Sequence, residues 1–227
     1  IIKSKFDIII LSPGINKNIC KLKNFLKKNS KIIYTDLDVF KSFYNNECIT
    51  ITGTNGKSTT SQLIYEVLKR QGYDIKLAGN IGYPILSTKN IKPKSIFVIE
   101  VSSYQLEYSR IFNSKYSAIL NITPDHLERH KTLKEYIKVK FKLIKNQKLN
   151  SIAFVNKHDV NTNKFLKKKF FRSKIIKVNV KLNNKYLLNF KNNYFLSTSN
   201  KENLLFVLEI IKKFKINKKL LIKSLTN

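Results

Sequence analysis

Four sets of residues in this chain have types and spacing suited to phosphate and metal chemistry. The first is Gly53-Thr-Asn-Gly-Lys-Ser58, between a β-branched run that ends at Thr52 and a helical pattern that begins at Ser58. Glycines let backbone N–H groups turn inward, a helix N-terminus adds a positive dipole end, and Lys57 adds a point charge. The Ser58 hydroxyl is placed to reach a phosphate-bound Mg²⁺. The run predicts a phosphate-binding loop.

This loop departs from the general P-loop pattern at one position. The pattern places a glycine five residues before Gly56, and position 51 is Ile. A glycine turn that binds no phosphate is therefore the alternative interpretation. The agreement of strand, loop, lysine and helix favours phosphate binding.

The second candidate is Glu100, near the C-terminal end of the almost wholly apolar run 95–101. Such a run is typical of a parallel strand that is covered on both faces, and open α/β sheets bind ligands at the C-terminal ends of their strands. A carboxylate there could complete a Mg²⁺ shell that Ser58 and two phosphates begin. A strand-end Glu in solvent is the alternative.

The third and fourth candidates are His126, in a loop after a strand, and Lys140, in the helix that follows. His126 could bind metal, donate a proton or lie at the surface. Lys140 falls at the centre of an apolar stripe formed by Leu133, Tyr136, Ile137, Phe141 and Ile144. A lysine there must snorkel, lose its charge through burial or have a specific partner. A neutral lysine can also form a carbamate with CO₂, an anionic ligand for a second divalent ion beside His126.

The elements that must position these residues alternate strand and helix. From residue 47 onward the pattern predicts an α/β fold, a P-loop-type and mostly parallel sheet flanked by helices, with a small antiparallel β extension over 174–199. Residues 1–46 also alternate, with a basic amphipathic helix at about 18–28, and look like the tail of a Rossmann-like domain. We expect one domain boundary, between 1–46 and 47–227.

The net charge of +30, from 44 Lys+Arg against 14 Asp+Glu, raises nucleic-acid binding as an alternative function. The lysines are scattered along every segment, which favours a composition skew over a binding patch. Arginine, the better base reader, occurs only at Arg70, Arg110, Arg129 and Arg172. Cys20 and Cys48 have no metal-ligand spacing and indicate a reducing, cytoplasmic compartment, and no apolar run reaches transmembrane length.

Together these residues resemble the Mur ligase family. The run Glu100-Val-Ser-Ser-Tyr-Gln-Leu-Glu107, with Leu11-Ser-Pro-Gly-Ile15 ahead of it, resembles the branch that adds D-glutamate. The phosphate loop is shared with folylpolyglutamate-type amide ligases, which remain an alternative. The other motifs that carry the resemblance are Gly53 through Ser58, Gly79-Asn80-Ile81-Gly82, Asn121-Ile-Thr-Pro-Asp-His-Leu-Glu-Arg129 and Tyr136 through Lys140.

The resemblance implies an ATP-dependent amide ligase of peptidoglycan synthesis, and hence of cell wall biogenesis, cell shape and cell division. ATP would phosphorylate the terminal carboxylate of UDP-N-acetylmuramoyl-L-alanine, and the D-glutamate amine would attack the acyl phosphate. Two Mg²⁺ ions would take part, and we expect a monomer without specific nucleic acid or membrane insertion.

By the same resemblance, particular residues have expected roles. Lys57, His126 and Lys140 are the expected catalytic residues, and the metal ligands are Ser58 and Glu100 for one ion, His126 and carbamylated Lys140 for the other. The nucleotide would contact Gly53, Thr54, Asn55, Gly56, Lys57, Ser58, Thr59 and Asn200. Substrate would contact Ser12, Pro13 and Gly14, which match a UDP-sugar diphosphate loop, and Asn80 and Ser102.

Three departures from the family qualify these expectations. Asn200 and Asn203 match an Asn-x-x-Asn helix start near the nucleotide, but Ser199 stands where the family usually has His. Family members also carry an earlier start of the N-terminal domain and a third domain after the central one. We therefore expect the chain to be a fragment, with residues 1–46 as the C-terminal part of the UDP-sugar domain, and to be inactive in ligation alone.

Overall fold

The computed structural model of the protein describes residues 5–181 and 192–226. Its strands are β1 (Ile9–Ile10), β2 (Ile33–Tyr34), β3 (Cys48–Thr52), β4 (Ile75–Gly79), β5 (Ile96–Glu100), β6 (Tyr116–Ile119), β7 (Ile152–Asn156) and β8 (Lys174–Val178). Its α-helices are α1 (Lys23–Lys28), α2 (Asp36–Phe43), α3 (Lys57–Arg70), α4 (Ser103–Tyr108), α5 (Leu127–His130), α6 (Leu133–Lys145), α7 (Val160–Leu166), α8 (Thr198–Ile211) and α9 (Lys218–Thr226). Short 3₁₀ turns cover Ser30–Ile32, Ile85–Ser87 and Asn193–Leu196.

The main sheet has six strands in the order β4-β5-β3-β6-β7-β8, and every neighbouring pair is parallel. All five residues of β3 and of β5 are buried, because a parallel sheet covered by helices has no solvent face. The C-terminal ends of β3, β5 and β6 therefore meet at one edge of the sheet. The predicted mostly parallel sheet flanked by helices is confirmed.

Alternate strand residues reach opposite faces of this sheet, since side chains of a strand alternate. On β5, Val98 belongs to the cluster formed with α3 and α8, whereas Phe97 and Ile99 belong to a cluster on the other face. On that second face, α4 packs against α6. The site-bearing strand ends are thus held between two helical layers.

The predicted antiparallel extension over 174–199 is wrong for the part of it that the structure describes. Its first run is β8, which pairs in parallel with β7 at the sheet edge. Its last run contains the 3₁₀ turn Asn193–Leu196. The middle of the prediction, residues 182–191, lies outside the described residues. The alternating pattern of 174–178 fits a parallel edge strand as well as a hairpin strand, because an edge strand is only half covered.

The N-terminal segment is joined to the sheet through α2. Phe40 packs edge-on against Phe97 of β5, with ring centroids 4.8 Å apart, and buried Asp38 accepts the backbone N–H groups of residues 110–112. The helix predicted at about 18–28 is shorter, since α1 begins at Lys23 and Ile19 is 79% exposed. The boundary at residue 46 stays a prediction. In the described ranges, no helix is long and apolar enough to cross a membrane.

Candidate active site

The candidate phosphate loop connects β3 to α3 at the carboxyl edge of the sheet. Gly56 precedes the helix with a φ of +81°, which is strained for any residue with a side chain. A Cβ atom at this position would lie 2.2 Å from Oδ1 of Asn203 on α8. The loop thus needs a glycine both for its backbone conformation and for its close approach to α8.

Ile51, where the general P-loop pattern has glycine, is a buried strand residue. It pairs with Glu100 on β5 and with Ala118 on β6, so that β3 continues to Thr52. A glycine in the middle of a central strand would weaken it. The loop of this protein therefore begins later than the general pattern, at Gly53.

The beginning of α3 presents free hydrogen-bond donors. The backbone N–H groups of residues 56–59 have no hydrogen-bond partner within the described part of the chain. Lys57 lies across the loop, with its Nζ atom donating to the carbonyls of Gly53 at 3.1 Å and Thr54 at 2.7 Å. Burial lowers the pKa of Lys57, while the charges of Glu100 and Asp125 oppose this shift. Unpaired N–H groups beside a lysine form an anion-binding site.

Glu100 lies at the end of β5 and is 1% exposed. Its Oε1 atom accepts a hydrogen bond from Nδ2 of Asn80 at 2.8 Å, and its buried Oε2 atom has no hydrogen-bond partner among the described residues. Gly79, just before Asn80, approaches the Glu100 backbone closely, since at φ +106° a Cβ atom there would lie 2.2 Å from the Glu100 carbonyl. An unsatisfied buried carboxylate oxygen is costly. A divalent cation would satisfy it, so the residues present fit Mg²⁺.

The rest of a metal shell would have to come from elsewhere. In residues 5–181 and 192–226, no three His, Cys, Asp or Glu side chains form a group that could hold a metal ion. Ser58, on the first turn of α3, is exposed. Its hydroxyl and the oxygens of a bound phosphate are the ligands that could join Glu100.

Lys140 is 1% exposed and lies beneath the phosphate loop. Its Nζ atom donates to the Gly53 carbonyl at 2.8 Å and lies 4.6 Å from the ring centroid of Tyr136. Burial, and then the nearby charge of Lys57, lowers the pKa of Lys140 to about 7, and Asp125 opposes the shift. Of the alternatives considered from sequence, Lys140 does not snorkel. It is buried, has specific partners and loses its charge near neutral pH.

His126 has a different environment from Lys140. It precedes α5 with a left-handed φ of +51°, and its side chain is 44% exposed. Its Nδ1 atom lies 3.1 Å from the Tyr104 hydroxyl, and its Nε2 atom lies 3.4 Å from Oδ2 of Asp125. No hydrogen bond joins His126 to Lys140 in the described structure. A shared metal ion between the two residues stays a prediction.

Two further residues near His126 were missed by sequence reasoning. His130 is buried, with its Nε2 atom 3.0 Å from the Ser103 hydroxyl, and burial lowers its pKa. Arg129 pairs with Glu107, Nε to Oε2 at 2.7 Å. The spacing of His126 and His130 suggests two histidines on one helical face, but His126 lies before the helix, with a left-handed backbone.

The predicted substrate residues occupy separate places. Ser12, Pro13 and Gly14 form the loop after β1, and Nη2 of Arg129 donates to the Ile15 carbonyl at 2.8 Å, which ties this loop to the α5 segment. The Ser102 hydroxyl caps α4 by accepting the N–H of Gln105 at 3.2 Å. Asn80 contacts Glu100, so these two predicted residues are brought together.

The two asparagines of α8 also differ in position. Asn200 donates through Nδ2 to the Tyr194 carbonyl at 2.8 Å, and the Tyr194 hydroxyl lies 3.3 Å from Oγ1 of Thr59. Asn203 is buried and contacts Gly56 directly. Asn200 is therefore linked to the loop indirectly, whereas Asn203 packs on it.

The candidate phosphate loop, the buried acid and the buried lysine lie in a region that matches a known protein family. A family model described as Mur ligase middle domain matches residues 51–221. The chain belongs to the Mur ligase family. The resemblance inferred from its motifs is confirmed. As a Mur ligase, it carries Lys57, Glu100, His126 and Lys140 inside the matched region.

Individual Mur ligases resemble this chain over most of its length. A UDP-N-acetylmuramoylalanine–D-glutamate ligase from Alkaliphilus oremlandii is 38% identical over 160 residues, which are 70% of this chain and 35% of that protein. One of the same name from Rickettsia felis is 41% identical over 151 residues, 66% of this chain and 33% of that protein. The chain thus spans about a third of the length of the curated relatives that it matches.

Solved Mur ligase structures share the fold. UDP-N-acetylmuramate:L-alanyl-gamma-D-glutamyl-meso-diaminopimelate ligase from Neisseria meningitides superimposes with a TM-score of 0.67 at 13% identity, covering 97% of this chain and 78% of that one. MurF ligase from Thermotoga maritima in complex with ADP gives a TM-score of 0.64 at 16% identity, covering 89% and 52%.

Proposed function

We propose that the protein acts as an ATP-dependent amide ligase of peptidoglycan precursor synthesis, which adds D-glutamate to UDP-N-acetylmuramoyl-L-alanine. The observation that carries the proposal is the start of α3, where the N–H groups of residues 56–59 have no hydrogen-bond partner among the described residues and the Lys57 side chain lies beside them. The substrate assignment is supported by the names of relatives at 38% and 41% identity.

In the first half of the reaction, an oxygen of the substrate carboxylate attacks the γ-phosphorus of ATP. The bond from that phosphorus to the β–γ bridging oxygen breaks, and ADP leaves with an acyl phosphate formed. Lys57 and the N–H groups of residues 56–59 would hold the phosphates while charge develops on them. Because the N–H groups are already oriented, they need little reorganisation when the nucleotide binds.

In the second half, the amine of D-glutamate attacks the carbonyl carbon of the acyl phosphate. A tetrahedral intermediate forms, inorganic phosphate leaves, and the amine nitrogen loses its proton to give the amide. Ser12, Pro13, Gly14, Asn80 and Ser102 are proposed to contact the substrate. In this proposal Thr54, Asn55, Thr59 and Asn200 line the nucleotide side.

Two Mg²⁺ ions would screen the repulsion between the carboxylate and the γ-phosphate. For one of them, the unsatisfied Oε2 atom of Glu100 and the Ser58 hydroxyl are proposed ligands. For the other, we propose His126 and the carbamate of Lys140. The free amine of Lys140 would add to CO₂ and lose one proton, and the pKa of about 7 makes that free amine available at neutral pH.

The carbamate can be tested without ligation. Adding ¹³C-bicarbonate to the protein above pH 7 should produce a carbamate carbon signal in the NMR spectrum. The signal should be absent from Lys140→Met and present in Lys134→Met, which removes an exposed lysine of the same helix. A signal that survives in Lys140→Met would contradict the role of this lysine.

The ligation is tested with the natural protein, purified from the cells that produce it. We expect release of ADP and phosphate, and formation of the glutamyl product, with UDP-N-acetylmuramoyl-L-alanine and D-glutamate but not with folates. Product from a folate would instead favour the folylpolyglutamate-type alternative. For the 227-residue chain alone we expect Mg-ATP binding without ligation. Failure of this chain to bind ATP would contradict the nucleotide site itself.

A further inference from the structure

The loop that follows β6 holds the candidate phosphate loop through Asn121. The Oδ1 atom of Asn121 accepts hydrogen bonds from the N–H groups of Thr54, at 3.1 Å, and of Asn55, at 2.9 Å. Its Nδ2 group donates to the Asn55 carbonyl at 3.2 Å, and its backbone carbonyl accepts the Thr54 N–H at 3.0 Å. Asn121 thus accepts hydrogen bonds from the Thr54 and Asn55 N–H groups and donates one to the Asn55 carbonyl.

These bonds divide the N–H groups of the loop into two sets. Those of residues 54 and 55 point to Asn121, whereas those of residues 56–59 have no partner within 5–181 and 192–226. An anion at a helix N-terminus binds to the unpaired set. Asn121 therefore determines which backbone groups remain available to a phosphate.

Among common side chains, a short amide suits this arrangement. The two N–H donors lie next to Oδ1 and the carbonyl lies next to Nδ2. All three hydrogen bonds are therefore consistent with the same orientation of the Asn121 amide. An aspartate would keep both acceptor bonds but could not donate to Asn55, and it would add a negative charge beside a bound phosphate. An alanine would make none of these side-chain bonds.

The same loop continues to the Asp125–His126 pair. Thr123 donates its N–H to Oγ1 of Thr54 at 3.0 Å, two residues after Asn121. A hydrogen bond thus joins the phosphate loop to the segment that leads to His126. A change at Asn121 would alter both.

We propose that Asn121 is a positioning residue, which shapes the Gly53–Ser58 loop for the phosphates of a nucleotide and ties that loop to the His126 segment. The proposal rests on the proposed function, since the ligand is taken to be ATP. Its test uses the whole chain with three variants, Asn121→Ala, Asn121→Asp and, as a matched control, Asn161→Ala. Asn161 donates to the Ile122 carbonyl at 2.8 Å, so its loss loosens the same loop without touching residues 53–55.

The first measurement is hydrogen exchange of single backbone amides by NMR. In Asn121→Ala the Asn55 amide should exchange about tenfold faster or more, since it loses its hydrogen-bond acceptor. The Thr54 amide should stay protected by the backbone carbonyl of residue 121. Asn121→Asp, which keeps the acceptor, and Asn161→Ala should leave the Asn55 amide protected.

The second measurement is calorimetric binding of Mg-ATP and of tripolyphosphate, which lacks the base and ribose. Asn121→Ala should raise the Kd of both probes about tenfold, and Asn121→Asp more, because of its added charge. Asn161→Ala should stay within about twofold of the wild-type Kd for both. Where Asn121→Ala does not fold, Asn121→Ser, which lacks the side-chain amide and adds no charge, carries the test through the same two measurements.

The outcomes separate this proposal from the proposed function. A wild-type chain that binds neither probe would overturn the nucleotide site, and the Asn55 exchange rate would still decide whether Asn121 holds the loop. A wild-type chain that binds ATP, with unchanged affinity in both Asn121 variants, would overturn the positioning role alone. Equal weakening in Asn161→Ala would also overturn it, because general loosening of the loop would then explain the effect.

Discussion

The two residues expected to share a metal ion, Lys140 and His126, differ sharply in how the fold holds them. Lys140 is buried under the phosphate loop and donates to the Gly53 carbonyl at 2.8 Å. His126 is 44% exposed, and its ring contacts a neighbouring hydroxyl and carboxylate. The sheet and its helices position the lysine, whereas a loop positions the histidine.

This difference indicates how much of the site is formed before any ligand binds. On the loop side, Gly53, Lys57 and Lys140 are fixed by hydrogen bonds within the protein. On the histidine side, the partly exposed ring contacts only side chains of its own surface, those of Tyr104, Asp125 and Glu128, in the described structure. We therefore expect substitutions on the loop side to affect the free protein and nucleotide binding more strongly.

The largest effect is expected for Lys57→Met. The variant removes the charge nearest the phosphates and the bonds that Nζ makes to Gly53 and Thr54. The Kd for Mg-ATP should rise about 100-fold, as for the loss of a charge-assisted hydrogen bond. Calorimetry checks this, with Lys69→Met at the far end of the same helix as control. An unchanged Kd would remove Lys57 from the site.

The next effect concerns stability and pH at Lys140. The folded pKa is about 7, and unfolded lysines titrate near about 10.4. Between these values the unfolded chain binds more protons, so the free energy of unfolding rises with pH, by at most about 1.4 kcal/mol per unit. Below the folded pKa, the buried charge lowers the free energy of unfolding by an amount that no longer changes with pH.

Replacing Lys140 by Met removes this contribution. Lys140→Met should therefore be more stable than the wild type near about pH 7, and its advantage should shrink by about pH 10. Urea unfolding at both pH values measures the difference, and exposed Lys134→Met serves as control. A constant difference across this range would show that Lys140 keeps its charge in the folded protein.

A smaller effect is expected for Glu100→Gln. Glutamine keeps the shape and an acceptor for Asn80 but carries no charge for a cation. The factor by which Mg²⁺ lowers the Kd for ATP should fall about tenfold, while the Kd measured without Mg²⁺ should change little. Titrations with and without Mg²⁺ measure both, and Glu66→Gln on α3 is the control. Full Mg²⁺ dependence in Glu100→Gln would exclude Glu100 as a ligand.

The smallest effect is expected for His126→Ala in the absence of other substrates. Because the side chain is 44% exposed and lies outside the core, the free energy of unfolding should change by less than about 0.5 kcal/mol, and the ATP affinity by less than about twofold. Thermal unfolding and calorimetry check these values. A change in stability or in ATP affinity as large as that of a loop-side variant would abolish the contrast between the two regions.

The sequence allowed the buried side of the site to be predicted because its signals are local. The apolar run ending at Glu100 and the stripe containing Lys140 follow from the periods of strand and helix. The roles of Asn121, His130 and Arg129 could not be predicted this way. Their partners lie on other elements, as the bonds of Asn121 to residues 54 and 55 show, and no local period encodes such pairings.

The N-terminal segment and residues 174–178 limited the fold prediction for a related reason. The helix expected from residue 18 begins at Lys23, and Ile19 and Leu22 remain exposed in the described structure. The alternation of β8 does not distinguish a parallel edge strand from an antiparallel one. In both places the sequence pattern indicated a helix or a strand, but not which other segments it would pack against or pair with.

The strand order also has a consequence for how the chain folds. β3 precedes both of its neighbours in sequence, and its partners β5 and β6 begin at Ile96 and Tyr116. Pairing of distant segments requires a long loop to close first, which makes it slow. The phosphate loop thus acquires its shape only after β5 and β6 have been synthesised and have paired with β3, so nucleotide binding should appear only after this pairing.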